Sequence, residues 1–284
     1  MLASRQHRSH VVGLIGAGIG SSRSPLLHES EAAMQGINYV YKLVDLERLD
    51  AAATLLPRLL EAMEMTGFTG TNVTHPCKQA VIAHLDELSP EAEAIGAVNT
   101  VIFGGGRRIG HNTDCWGFAE SFRRGLPDVR KDVVFQIGAG GAGAAVGLAA
   151  LESGVGTLRL VDVNRQRAAA LVERLSQRFG DRVCVADDPV SSLRDVDGLI
   201  NATPVGMNGH PGTPLDADLL RAGMWVTDVV YFPLETELLR AACERGCRVL
   251  DGGGMAVFQA ARAFQLFTGL EPDTERMLRQ FAAA

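Results

Sequence analysis

Residues 138 to 143 read Gly138-Ala139-Gly140-Gly141-Ala142-Gly143, between a β-rich run ending at Ile137 and an alanine-rich helical stretch. Glycines at this spacing let a strand turn tightly into a helix whose first N–H groups face outward, which suits the pyrophosphate of a dinucleotide. The next β-rich run ends at Asp162, nineteen residues beyond Gly143. A carboxylate there accepts from both hydroxyls of an adenosine ribose and repels a 2'-phosphate, so the spacing predicts NAD. The chemistry is then hydride transfer. Gly138, Ala139, Gly140, Gly141 and Ala142 form the phosphate turn and Asp162 meets the ribose.

A second glycine run, Gly16-Ala17-Gly18-Ile19-Gly20-Ser21, also follows a strand and precedes one ending in an acid, Asp45. Its helix is expected to start only at Ser24-Pro25, with Ser24 as N-cap, which leaves several residues of loop where pyrophosphate needs a tight turn. The dinucleotide is therefore assigned to the second loop. Of 27 basic side chains only Lys42, Lys78 and Lys131 are lysines. Arginine stays protonated, whereas lysine can exchange a proton, as alcohol oxidation requires when hydride leaves carbon. Lys78 falls in the first turn of a helix expected over 76–84.

Those residues need elements to hold them. Strands are expected over 11–15, 39–44 and 67–73, helices over 25–35, 50–65 and 76–84, and a hairpin over 97–110 turning at Gly104-Gly105-Gly106. A helix over 115–124 leads into a second α/β series with strands at 132–137, 157–162, 183–185, 198–201, 225–229 and 248–250. Helices over 255–268 and 272–283 close the chain and pack back on the first domain. This predicts two α/β domains. Residues 1–114, completed by 255–284, bind the substrate, and residues 115–254 form a Rossmann-type dinucleotide-binding domain.

With 284 residues and 46% hydrophobic content the chain can bury two cores. A net charge of -6 and the absence of a dense Lys/Arg run argue against nucleic acid or an anionic membrane as partner. Five cysteines without paired CxxC spacing are expected as buried thiols of a cytoplasmic protein. The first ten residues hold no apolar run of the length a signal peptide or membrane span needs. Seven histidines include no HExxH spacing, so a zinc dehydrogenase site is not expected. The pattern does not separate a monomer from a dimer.

Five segments outside the nucleotide turn occur in a telling order: Ser22-Arg23-Ser24-Pro25, Asn72-Val73-Thr74-His75-Pro76-Cys77-Lys78, Ala97-Val98-Asn99-Thr100, Asn112-Thr113-Asp114 and Gly254-Met255-Ala256-Val257-Phe258-Gln259. Singly, the first reads as a helix cap and the fourth as an Asx turn. Together they resemble the shikimate dehydrogenase family, from about residue 11 to 269. The resemblance implies that Ser22 and Ser24 hold a substrate carboxylate, that Thr74, Asn99, Asp114 and Gln259 bind ring hydroxyls, and that Lys78 is catalytic. Tyr231 matches another substrate-contact position. Short hydroxyl, amide and carboxylate side chains are what a polyhydroxylated ring acid needs. Lys78 would take the alcohol proton while Asp114 orients the hydroxyl and stabilises the charged lysine.

The resemblance also sharpens the cofactor. Many NADP-using members carry Asn-Arg-Thr after the second nucleotide-domain strand, the arginine gripping the 2'-phosphate, where this chain has Asp162-Val163-Asn164. NAD is favoured, with Arg167 near the adenine or ribose; Arg165 and Arg167 keep NADP as an alternative. Thr203, Val205, Val229, Gly252 and Met255 would line the nicotinamide side, in a cleft between the domains that holds hydride donor and acceptor together. The expected activity is oxidation of quinate or shikimate. The alternatives are NADP-dependent biosynthetic reduction of 3-dehydroshikimate and a nucleotide-sensing module without turnover.

Overall fold

The computed structural model describes residues 9–49, 53–186 and 188–283. The first elements are β1 (Ser9–Gly16), α1 (Ser24–Met34), β2 (Asn38–Asp45), α2 (Leu56–Met65), β3 (Gly70–Val73), β4 (Glu87–Leu88), α3 (Pro90–Ile95), β5 (Thr100–Gly104) and β6 (Arg107–His111). Then follow α4 (Thr113–Gly125), β7 (Val133–Ile137), α5 (Gly141–Glu152), β8 (Thr157–Val161), α6 (Arg165–Phe179), β9 (Val183–Val185), α7 (Pro189–Ser192) and β10 (Gly198–Asn201). The chain closes with β11 (Trp225–Asp228), α8 (Glu237–Glu244), β12 (Arg248–Leu250), α9 (Gly253–Thr268) and α10 (Thr274–Ala282). Two compact units result: one runs to Thr113 and resumes at Gln259, and the other spans Asp114–Phe258. The second division falls inside α9 rather than at the expected residue 255.

The first unit carries a mixed sheet in the order β2-β1-β3-β5-β6-β4. β1, β2 and β3 are parallel, and β5 runs antiparallel to both β3 and β6. One face of the sheet packs on α2 through Ile15, Val73 and Val101 against Leu56, Leu60 and Met63. The other receives the C-terminal helices, with Val12, Leu14 and Tyr41 against Ala263 and Phe267 of α9. Gly70 makes that docking possible, because a Cβ there would stand 2.6 Å from the Phe267 ring. His28 of α1 is buried in the same layer, its Nδ1 3.0 Å from the Tyr39 hydroxyl and its ring 4.8 Å from that of Tyr41.

The second unit carries six parallel strands in the order β12-β11-β10-β7-β8-β9. The order reverses between β7 and β10, and ligands of doubly wound sheets bind at the carboxyl end of that switch point. α5 is buried from Gly143 to Leu151, apolar on every side as a helix covered by its own sheet and neighbours must be.

Several expectations change. Residues 75–79 form a turn and only Ala80–His84 are helical, as a short 3-10 segment, so Lys78 precedes the helix. Arg23, not Ser24, is the N-cap of α1. β3 starts at Gly70 rather than 67, and β4 and α3 were not anticipated. Residues 50–52 of the expected helix over 50–65 lie outside the described residues. All five cysteines are free, but Cys184 and Cys243 are exposed.

Candidate active site

In the first unit the carboxyl ends of β1, β3 and β6 and the start of antiparallel β5 share one sheet edge. The loop after β1 reaches the turn after β3 directly: Ala17 N donates to the His75 carbonyl at 2.9 Å and Thr74 N to that of Ile15 at 2.9 Å. Gly16 is required there, since a Cβ would collide with the Thr74 methyl group. The loop is pinned from below by Asp45, whose Oδ1 accepts from Gly18 N at 3.0 Å and Glu47 N at 3.2 Å. It ends in two half-buried hydroxyls at the start of α1. Ser22 Oγ donates to Ser24 Oγ at 3.2 Å and accepts from Ser24 N at 3.3 Å. Hydroxyls converging at a helix N-terminus suit a carboxylate.

Lys78 is half-buried in the turn after Thr74, and its carbonyl accepts from Val98 N at 2.8 Å, which ties the turn to Asn99. Asn99 is 6% exposed and oriented by a buried chain of hydrogen bonds. Tyr41 Oη donates to Asn72 Oδ1 at 2.8 Å, Asn72 Nδ2 to Thr100 Oγ1 at 2.9 Å, and Thr100 Oγ1 to Asn99 Oδ1 at 2.9 Å. Thr113 N also donates to Asn99 Oδ1, at 2.8 Å, which fixes which end of the amide is oxygen. Thr113 opens α4, whose next residue, Asp114, is 2% exposed. Tyr41 and Thr113 were not anticipated from sequence; buried polar side chains on strands look like ordinary core positions until their partners are known. His75 is exposed. Burial, joined by Arg262 and opposed by Glu91, pushes the His111 imidazole below its ordinary value. Gln259 is half-buried on α9.

In the second unit the glycine turn is built as its sequence requires. Gly138 has φ 101°, and a Cβ on it would lie 2.6 Å from the Ala202 carbonyl, so the turns after β7 and β10 abut at the switch point. Gly140 is the N-cap and α5 starts at once with Gly141, leaving its first N–H groups without helical partners. A Cβ on Gly143 would strike the Gly138 carbonyl. Gln136 holds the turn from beneath, its Nε2 donating at 2.8 Å to both the Gly138 and Gly143 carbonyls.

Asp162 stands just past β8, its side chain 6% exposed. Oδ2 accepts from Ala139 N at 2.8 Å and Oδ1 from Asn164 N at 2.8 Å, with Arg167 Nη1 3.7 Å from Oδ1. Each carboxylate oxygen keeps a second lone pair able to accept a further hydrogen bond. Val163 is fully exposed. Asp45 and Asp162 thus pin their glycine loops by the same device; what separates the loops is that seven residues intervene between Gly16 and α1, but three between Ile137 and α5.

A buried network shapes the turn after β10. Asn201 Nδ2 donates to Asp228 Oδ1 at 3.0 Å and to the Val205 carbonyl at 3.1 Å, while its Oδ1 accepts from Thr203 Oγ1 at 2.7 Å. Asp228 also accepts from Val230 N at 3.0 Å and Thr236 Oγ1 at 2.8 Å; burial pushes its carboxyl above the ordinary range, against these hydrogen bonds. Gly252 sits against the same segment, where a Cβ would be 2.5 Å from the Val229 and Val230 carbonyls. Thr203 and Val205 are therefore held in one turn, and Val229 beside Gly252. Met255 is 7% exposed in the first turn of α9, and Tyr231 is 39% exposed after β11.

Strand order and glycine turn together define the class: a chain with a Rossmann-type dinucleotide-binding unit and a second α/β unit. Models of the shikimate dehydrogenase substrate binding domain and the shikimate 5'-dehydrogenase C-terminal domain match residues 14–101 and 252–280. The chain belongs to the shikimate dehydrogenase family. It is 57% identical over 277 residues to a shikimate dehydrogenase (NADP(+)) of Streptomyces avermitilis, covering 96% of this chain and 95% of the relative. It is 47% identical over 279 residues to a quinate/shikimate dehydrogenase (NAD(+)) of Corynebacterium efficiens, covering 97% and 98%. The structure of quinate dehydrogenase from Corynebacterium glutamicum in complex with NAD superposes with a TM-score of 0.92 at 45% identity, covering 97% of this chain and 99% of that one. Among the described residues, no helix is long and apolar enough to cross a membrane.

Proposed function

We propose that the chain is an NAD-dependent quinate/shikimate dehydrogenase, oxidising a ring hydroxyl of quinate or shikimate to the corresponding 3-dehydro acid. Bound NAD supplies the hydride acceptor, on the Gly138–Ala142 turn with its adenosine ribose at Asp162. Ser22 and Ser24 hold the carboxylate, and Thr74, Asn99, Tyr231 and Gln259 bind and orient the ring. Lys78 takes the hydroxyl proton as the C–H electron pair leaves, and Asp114 orients that hydroxyl and balances the ammonium that forms. Thr203, Val205, Val229, Gly252 and Met255 keep the nicotinamide side dry.

The observation that carries the cofactor choice is the pair Asp162 and Val163. The carboxylate is fixed by Ala139 N and Asn164 N, and the next side chain is an exposed valine with no charge for a 2'-phosphate. The second reading, an NADP-dependent shikimate dehydrogenase, is favoured by the name of the 57% identical relative and by Arg165 and Arg167 nearby. A double substitution, Asp162→Asn with Val163→Arg, tests the choice. The ratio of kcat/KM for NADP to that for NAD should rise about tenfold or more, the size of one charge-assisted contact, with the preference between quinate and shikimate unchanged. An unaltered ratio would remove Asp162 and Val163 as the determinants.

A further inference from the structure

Arg23 stands between the two serines, yet its own side chain is engaged elsewhere. Its Nη1 donates to the Phe281 carbonyl at 3.2 Å, and its guanidinium lies 5.0 Å from the centre of the Phe281 ring. Both contacts fall at the C-terminal end of α10, where the negative end of the helix dipole favours a cation. Two helical turns further along α1, Glu31 is 0% exposed and grips the other end of α10. It accepts from Arg276 Nε at 2.8 Å, Arg276 Nη2 at 2.7 Å and Asp273 N at 2.9 Å. Met277 and Phe281 are buried along the same helix. The last helix of the chain therefore holds α1 at two points, one of them the residue that separates Ser22 from Ser24.

We infer that α10, acting through Arg23 and Phe281, is a positioning device for the substrate carboxylate. The inference rests on the reading that Ser22 and Ser24 bind that group. Arg23 is the N-cap of α1 but makes no side-chain cap hydrogen bond there, and the serine pair is joined by contacts of only 3.2 and 3.3 Å. The hold on Arg23 from α10 is what keeps the two hydroxyls in one orientation before the acid arrives. Releasing it makes binding order the turn, which weakens the acid and leaves the dinucleotide untouched.

The test uses the full chain carrying Arg23→Ala, Arg23→Lys or Phe281→Leu, with Ser22→Ala as the check on the underlying reading. With saturating NAD, Arg23→Ala should raise KM for the acid about tenfold, equivalent to ~1.4 kcal/mol. Its kcat and its KM for NAD should stay near wild type, Phe281→Leu should move KM in the same direction by less, and Arg23→Lys should recover part of the loss. The uncharged methyl ester of the acid should be turned over equally by wild type and Arg23→Ala. An unchanged KM in both Arg23→Ala and Phe281→Leu, a fall in kcat alone, or an equal loss on the ester would overturn the inference. If Ser22→Ala also leaves KM unchanged, the carboxylate reading fails with it; if Ser22→Ala raises KM while the other two do not, only the role of α10 fails.

Discussion

Asp162 holds the glycine turn through Ala139 N; in the proposed reaction it also presents acceptors to a ribose, while Lys78 serves only as the base. Lys78→Ala should therefore lower kcat by about 10²- to 10⁴-fold, the range for a lost acid–base group, with a much smaller change in KM for the ring acid. Near-normal turnover in a steady-state assay would dismiss Lys78 as the base. Gly143→Ala drives a methyl group into the Gly138 carbonyl, so dinucleotide binding should be lost by calorimetry while the first unit still folds. The glycine turn and the place of Asp162 just past β8 were legible in the sequence because a strand that passes at once into a helix demands glycine at that spacing. Asp228, Thr236, Tyr41 and Thr113 were not, because they act on other side chains, and nothing in their local sequence says which.

Elements carry a pH signature. Burial pushes the His28 imidazole from 6.5 down to about 3, so the native state keeps it neutral while the unfolded chain takes up a proton. Stability should then fall as pH drops below about 6.5, by ~1.4 kcal/mol per pH unit. His28→Phe should flatten that slope in denaturant titrations at pH 5 and 7; an unchanged slope would place the acid sensitivity elsewhere. Glu31 behaves in the opposite sense: burial alone would raise it, but Arg276, Asp273 N and Gln35 hold its carboxyl below the usual range. Glu31→Ala removes the acceptor of Arg276 and of Asp273 N and should lower the denaturant midpoint. Element types were mostly legible from hydrophobic periodicity. The failures were local. Pro76 suggested a helix start, but residues 75–79 form a turn that carries Lys78 against Val98, and two-residue β4 is too short to leave a pattern.

For the whole molecule, alternation of strands and helices announced two α/β units, but not the order of strands within either sheet. That order depends on which crossovers pack right-handedly, a tertiary outcome. Nor did the sequence show that Asp45 pins the first glycine loop as Asp162 pins the second; only the length of chain before each helix distinguishes them. A ligand that binds only the folded state stabilises it by about 2.7 kcal/mol at a hundred times its Kd. At equal concentration NAD should therefore raise Tm more than NADP, and equal shifts would weaken the case for Asp162. The most direct test is steady-state kinetics with all four pairings of NAD or NADP with quinate or shikimate. The account predicts dinucleotide reduction with a ring acid and a kcat/KM at least about tenfold higher with NAD, the equivalent of ~1.4 kcal/mol. A higher kcat/KM with NADP, or no reduction with either acid, would contradict it.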